Sequence, residues 1–216
     1  MYQIAFLRNS IAIGFSLLIF LQCKPESKSL PYYNTPDFTP LFLSQQGAEK
    51  EITHTIDDFS FTDQEGKTIT QKNIEGKIHV ANFFFTSCGS ICPVMTDHLS
   101  KVQRTFLHDT SIVLLSYSVT PWIDSVSKLN SYGVSHHIHA DNWHLLTGKK
   151  NDIYNLARTS YFAEEQIGFT KDSSDFLHTE HVLLVDRQKH IRGIYNATLQ
   201  LDIQQLIADI QVLKEE

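Results

Sequence analysis

Ile78-His-Val-Ala-Asn-Phe-Phe-Phe85, followed by Thr86-Ser87-Cys88-Gly89-Ser90-Ile91-Cys92-Pro93, is the stretch that decides the fold. The apolar run predicts a core strand. The apolar residues that follow recur at helical spacing: Met95, Leu99, Val102 and Phe106. Proline is favoured at the first position of a helix, and the residue before a proline prefers extended geometry. The sequence therefore predicts a strand, a thiol loop that includes Cys92, and a helix that begins at Pro93.

The two cysteines of this loop lie next to the start of the predicted helix. The positive end of a helix dipole favours thiolate over thiol, so a pair of thiols there is reactive or binds metal. A disulfide between residues so close in sequence closes a very short loop and adds little stability as a staple. Two uses remain open from the residues alone: a reversible disulfide, or two soft ligands for a soft metal.

Composition places the chain among ordinary globular proteins. Its 216 residues are 42% hydrophobic and 19% charged, which predicts one domain and a short N-terminal leader. The formal net charge is −6, and no run of Lys or Arg is long enough to follow a phosphate backbone. Nucleic acid is therefore excluded as the main partner.

The N-terminus has the layout of an export signal. Arg8 precedes the uncharged segment Ile11 to Gln22, which is too short to span a bilayer comfortably, and Cys23 follows. Leu21-Gln22-Cys23 looks like a bacterial lipoprotein cleavage site, although Gln22 replaces the usual small residue. We predict a signal peptide over 1–22, a lipidated Cys23 that opens a proline-punctuated tether over 23–50, and a folded domain over 51–216. The alternative is an uncleaved anchor. Both alternatives hold the domain at a membrane, facing the bacterial periplasm or the cell exterior.

The rest of the chain alternates strands and helices. Two alternating runs around Gln64-Glu65-Gly66 predict an N-terminal hairpin, and Ser111 to Val119 is a buried strand. Further elements are expected at Asp124 to Tyr132 (helix), Trp143 to Thr147 (strand), Asn151 to Arg158 (helix), His181 to Asp186 and Ile191 to Tyr195 (paired strands), and Leu201 to Leu213 (helix). This order predicts an α/β/α sandwich with a central mixed sheet.

Four motifs together resemble the SCO/SenC family of membrane-bound copper proteins, which have a thioredoxin-like fold. They are Phe85-Thr-Ser-Cys-Gly-Ser-Ile-Cys-Pro93, Ser118-Val-Thr-Pro-Trp-Ile-Asp124, Asn142-Trp-His-Leu-Leu-Thr-Gly148 and Leu177-His178-Thr179. The resemblance covers about Phe59 to Ile210. Thr120 stands where the family usually has an aspartate.

The resemblance implies that Cys88, Cys92 and His178 bind copper, as Cu(I) or Cu(II), and that the two cysteines also form a redox-active pair. Two thiolates and an imidazole suit a soft metal that changes oxidation state. Asp124 matches an aspartate of the family motif, and its role is either to support this site or to cap the following helix.

The function that the resemblance implies is a copper metallochaperone that assists assembly of the copper centre of cytochrome c oxidase. Its partner is then a copper-receiving membrane oxidase subunit, and it needs no enzyme activity. The alternative is an extracytoplasmic thiol-disulfide oxidoreductase that acts on cysteines of a partner protein. Thioredoxins have two residues between their cysteines, whereas this chain has three, which disfavours a general reductase. A peroxiredoxin-like site expects a threonine three positions before the reactive cysteine, whereas Thr86 is two before Cys88.

Overall fold

A seven-stranded mixed sheet forms the centre of the protein. The computed structural model describes residues 29–163 and 179–216. The sheet has the strand order β2-β1-β9-β8-β5-β6-β7, and β3 and β4 form a separate hairpin. The strands are β1 (Tyr32–Tyr33), β2 (Pro40–Leu41), β3 (Ser60–Thr62), β4 (Thr68–Thr70), β5 (Ile78–Phe84), β6 (Ile112–Ser118), β7 (Trp143–Leu146), β8 (His181–Val185) and β9 (Ile191–Asn196). The helices are α1 (Gln45–Glu51), α2 (Gln71–Ile74), α3 (Ile91–Thr105), α4 (Val126–Ser135), α5 (Lys150–Thr159) and α6 (Gln200–Glu215).

Strands β5 and β6 are buried along their whole length, as their largely apolar character on both faces predicts. They pair in parallel from Ile78 opposite Ile112 to Phe84 opposite Ser118. Strand β8 pairs with β5 in the antiparallel direction. The word edge here means one end of the strands, not an outermost strand. We call the end at which β5 and β6 finish and β8 starts the thiol edge. The opposite edge, where β5 and β9 begin, is the arm edge.

Helices and the hairpin cover the two faces of the sheet. One face packs against apolar side chains of α3, α4 and α6, among them Leu99, Leu129 and Leu206. The other face packs against α5 and the β3–β4 hairpin, through residues such as Ile153 and Phe61. The predicted sandwich, mixed sheet and N-terminal hairpin are therefore confirmed.

The predicted tether is too long. Within its range of 23–50 the structure has β1, β2 and most of α1, so the folded part begins at or before Ser29. We call residues 29–44 the N-terminal arm. Tyr33 pairs with Ile191, so the arm extends the sheet beyond β9. Pro40 lies in the outermost strand, where a missing backbone donor is tolerated.

The buried Arg192 explains why the arm is ordered without any apolar periodicity. Its guanidinium donates to the carbonyl oxygens of Leu30 at 2.8 Å and Pro31 at 3.1 Å, and it lies 3.8 Å from the centre of the Tyr32 ring. It also forms an ion pair with Asp186 at 3.1 Å. The contacts between Arg192 and the arm join residues about 160 positions apart, so no local pattern in the arm predicts them.

The predicted signal peptide and Cys23 lie outside the described residues. Over 29–163 and 179–216, no helix is both long enough and apolar enough to cross a membrane. Attachment to a membrane through the N-terminus thus stays a prediction.

Candidate metal centre

The thiol loop connects β5 to α3 at the thiol edge and brings the two cysteines together. The backbone N–H of Cys92 donates to Sγ of Cys88 at 3.4 Å, so this sulfur lies over the first turn of α3. Cys88 is partly exposed, Cys92 is buried, and both are free thiols. The sulfur at the helix N-terminus matches the expectation that the dipole acts on this pair.

The start of α3 differs from the prediction. The helix begins at Ile91, two residues before Pro93, so Cys92 belongs to the helix and not to the loop. The N–H groups of a first helical turn have no intrahelical acceptor, which makes a proline at the third position as harmless as one at the first. The preference of a residue before proline for extended geometry is a bias, and here the helix overrides it.

The two thiols have opposite electrostatic environments. Partial burial raises the pKa of Cys88, but the backbone N–H groups of Cys92, Ser90 and Ile91 more than offset this, and the pKa is lowered overall. Burial raises the pKa of Cys92 to about 12, and the neighbouring Cys88 contributes to this rise. Cys88 is thus the thiol that ionises first and the better nucleophile of the pair.

Asp124 is completely buried beside the thiol loop and accepts hydrogen bonds from two segments, the turn after β5 and the end of β6. It accepts bonds from the backbone N–H of Thr86 at 3.2 Å and from three hydroxyl groups, those of Thr86 at 2.5 Å, Ser118 at 2.7 Å and Thr120 at 3.0 Å. It does not cap α4, because Ser125 is the capping residue and accepts from the N–H of Lys128 at 3.3 Å. The geometry therefore favours a role in holding the end of β5, and the capping alternative is wrong.

Thr86, Ser118 and Lys128 are neighbours of the site to which the sequence motifs assigned no role. Lys128 Nζ lies 2.8 Å from Oγ of Ser87 and 3.7 Å from Oδ1 of Asp124, so it joins α4 to the loop. The sequence signal that could have identified Thr86 and Ser118 is their position near the ends of β5 and β6. Adjacent parallel strands end side by side, so polar residues there come together. The hydroxyl of Thr120, two residues beyond the end of β6, also donates to Asp124.

His178 lies outside the described residues, and its neighbour Thr179 is described. Strand β8 places Val182 opposite Asn82 of β5, so the chain enters β8 at the thiol edge. The hydroxyl of Thr179 lies 3.1 Å from Nδ1 of His181, which occupies this ring nitrogen. Within the described ranges, no three His, Cys, Asp or Glu side chains come together as a metal-binding group. The third ligand for the two thiols stays a prediction.

Comparison with known proteins identifies the family to which the chain belongs. The model of the SCO1/SenC family matches residues 47–215. The chain belongs to the SCO1/SenC family. This SCO1/SenC protein is similar to a SCO1/SenC family lipoprotein from Bacillus anthracis str. Ames, with a TM-score of 0.65 and 25% identity over 76% of this chain and 96% of that one.

Two further solved structures are informative about chemistry. BsSco, a member of the Sco family of cytochrome c oxidase assembly proteins in which a disulfide switch was identified, has a TM-score of 0.63 and 25% identity, over 75% of this chain and 94% of that one. ScoI of Bradyrhizobium japonicum, with copper bound, has a TM-score of 0.58 and 26% identity, over 74% of this chain and 99% of that one. The predicted thioredoxin-like fold and family membership are thus confirmed.

Proposed function

We propose that this SCO1/SenC protein is a copper metallochaperone that holds the ion through Cys88, Cys92 and His178 and delivers it during assembly of cytochrome c oxidase. The observation that carries the proposal is the pair of free thiols, with the Cys92 N–H directed at Cys88 Sγ. Thiolates select Cu(I), and an imidazole nitrogen accepts both Cu(I) and Cu(II). The copper-bound ScoI and the oxidase assembly protein BsSco support this assignment.

His178 is proposed as the third ligand because of where its described neighbour lies. Thr179 leads into β8 at the thiol edge, the same edge at which β5 opens into the thiol loop. A third ligand from this segment would complete the coordination of the two sulfurs. His181, three residues on, uses its Nδ1 for the hydroxyl of Thr179.

The place of action follows from the N-terminus. We propose that Cys23 carries the lipid and that the domain faces the periplasm or the cell exterior, where a copper-receiving membrane oxidase subunit is the partner. The similarity to a SCO1/SenC family lipoprotein supports this placement. The net charge of −6 gives no support to nucleic acid as a partner.

A second function, thiol-disulfide exchange, is favoured by the difference between the two thiols. Cys88 is partly exposed with a lowered pKa, whereas Cys92 is buried with a raised pKa. This is the asymmetry that disulfide exchange uses: Cys88 attacks a disulfide of the partner, and Cys92 then releases the partner by forming the internal disulfide. Two electrons pass to the partner, whose two sulfurs leave as thiols.

Copper titration of the reduced and the oxidised protein tests the proposal. The reduced protein should bind one Cu(I) ion tightly, and the disulfide form should bind it poorly until reductant is added, because oxidation removes both thiolates. Competition with a colorimetric Cu(I) chelator measures the two affinities. Equal affinity before and after reduction would assign the ion to other residues. Weak Cu(I) binding together with fast reduction of a protein disulfide would favour the oxidoreductase.

The Asp124→Asn substitution tests the supporting role of this carboxylate. An amide of the same shape presents an N–H₂ group to donors that need an acceptor, and we expect a loss of roughly 3 kcal/mol in the free energy of unfolding. Copper affinity should also fall, by about 10- to 100-fold, as for other residues that position ligands. Urea unfolding and Cu(I) competition measure the two effects.

Ser125→Ala is the matched control, because Ser125 is the adjacent residue and caps α4. Loss of an N-cap costs about 1 kcal/mol. Copper affinity should stay unchanged in this variant. An Asp124→Asn protein that is destabilised but binds Cu(I) normally would restrict Asp124 to a structural role.

A further inference from the structure

The N-terminal arm joins the domain at the edge of the sheet opposite the thiols. Tyr33 pairs with Ile191, and Val185 pairs with both Ile191 and His79, near the start of β5. Strand β9 runs parallel to β5, because each is antiparallel to β8. The arm therefore meets the sheet where β5 begins, whereas the thiol loop follows the end of β5.

Ser29, the first described residue, also lies at this arm edge. It lines a cavity of about 300 Å³ together with Arg187 and Gln188 of the β8–β9 turn and with Leu213 and Glu216 at the end of α6. The backbone N–H of Leu30 donates to Oε1 of Glu216 at 3.2 Å. The chain that arrives from the predicted membrane attachment thus enters the domain next to the β8–β9 turn.

The lengths of two elements, β5 and α6, give the distance between the thiol edge and the arm edge. Strand β5 has seven residues, which span roughly 23 Å at the rise of a β-strand. Helix α6 has 16 residues, which span about 24 Å, and it runs from the end of β9 back to the arm edge. The thiol loop is therefore about 20 Å or more from the level of Ser29.

The segment that joins Cys23 to Ser29, which we call the leash, is short. Residues 24–28 separate Cys23 from Ser29, and these six residue steps reach at most about 22 Å when fully extended. The buried Arg192, bonded to the carbonyls of Leu30 and Pro31, keeps the arm from lengthening this leash. Only a fully stretched leash spans this height, and stretching it costs the conformational freedom of every residue in it. A leash of this length therefore favours the orientation in which the arm edge faces the bilayer.

We propose that the membrane-attached protein holds its thiols on the side that faces away from the bilayer, about 20 Å or more above its surface. This inference rests on the proposed attachment through the N-terminus, and it holds for a lipidated Cys23 and for an uncleaved anchor. The partner that fits is a protein whose copper-accepting site stands well above the membrane surface. A site flush with the lipid headgroups meets Cys88 and Cys92 only when the leash is fully stretched.

The test uses the full-length protein in lipid vesicles and a maleimide attached to a lipid headgroup by a spacer much shorter than β5. One protein keeps Cys88 as its reporter, with Cys92→Ser. The other has a reporter on the exposed β8–β9 turn, Gln188→Cys, together with Cys88→Ser and Cys92→Ser. Water-soluble maleimide gives the intrinsic reactivity of each thiol, and peptide mass spectrometry identifies each labelled site and any lipid on Cys23.

After normalisation, the lipid-bound reagent should label position 188 many-fold faster than Cys88. Insertion of about 20 Gly and Ser residues between Lys28 and Ser29 adds a flexible reach of about 25 Å and should remove the difference. Equal normalised labelling of the two positions without the insertion would overturn the inference and leave the anchor intact. Protein that stays in the supernatant would overturn the membrane attachment, and the inference with it.

Discussion

Replacing Cys88 or Cys92 with alanine should abolish tight Cu(I) binding by the reduced protein. Each substitution removes one of only two thiolates, and a single thiolate with one imidazole is a poor site for Cu(I). We expect the dissociation constant to rise by about three orders of magnitude or more, roughly 4 kcal/mol. The His178→Ala substitution should weaken binding by about 100-fold, close to 3 kcal/mol. Competition titration with a Cu(I) chelator measures all three variants.

His181→Ala is the control for the histidine. It is the nearest other histidine in sequence, and its Nδ1 lies against the hydroxyl of Thr179. Its copper affinity should match that of the unmodified protein. If Cys92→Ala keeps the original affinity and stoichiometry, the assignment of the thiol pair as ligands is wrong. If His181→Ala loses affinity and His178→Ala does not, the third ligand is His181.

Acidification should destabilise the protein because of His79, which is completely buried in β5. Its Nε2 lies 3.1 Å from the hydroxyl of Tyr161, which in turn lies 3.1 Å from that of Tyr117, and Nδ1 has no hydrogen-bond partner. Burial lowers the pKa of His79 from 6.5 to about 3. In the unfolded chain this histidine takes up a proton near pH 6.5, whereas in the folded chain it stays neutral down to about pH 3. The free energy of unfolding therefore falls as the pH drops from about 6.5 toward 3.

The expected loss is about 3 kcal/mol at pH 4.5, since each pH unit in this window contributes about 1.4 kcal/mol. Other groups also titrate, so the measurement compares the protein with His79→Leu by urea unfolding at pH 7.5 and 4.5. The His79→Leu variant lacks this proton and should lose correspondingly less stability between the two pH values. His98→Ala removes a partly exposed histidine and should keep the pH dependence of the unmodified protein. A stability difference between His79→Leu and the unmodified protein that is the same at both pH values would contradict the prediction.

The sequence by itself determined the central architecture. The run from Ile78 to Phe85 is apolar on both faces, which only a strand covered on two sides can satisfy, and β5 is that strand. The alternation around Gly66 and the stripe of α6 likewise predicted the hairpin and the last helix. These patterns are local, because the spacing of apolar residues along the chain shows whether an element buries one face or two.

The surroundings of the thiols were decided by the tertiary structure. Thr86 follows β5 and Ser118 ends β6, 32 positions apart in the sequence. They meet at Asp124 only because β5 and β6 are parallel neighbours. The sequence motif identified Asp124 but did not decide whether it caps the following helix or supports the metal site. The hydrogen bonds resolve this, because Ser125 already caps α4.

The extent of the folded domain was also decided by tertiary contacts. The arm has three prolines and two strands of two residues each, too short for any periodicity, and the sequence assigned it to the tether. Its order comes from a buried guanidinium, that of Arg192, which bonds to backbone carbonyls of the arm. A backbone carbonyl is the same in every residue, so the sequence of the arm carries no record of this contact. Local spacing thus specified the sheet and the thiol loop, whereas hydrogen bonds between distant segments set where the domain begins and which side of it carries the thiols.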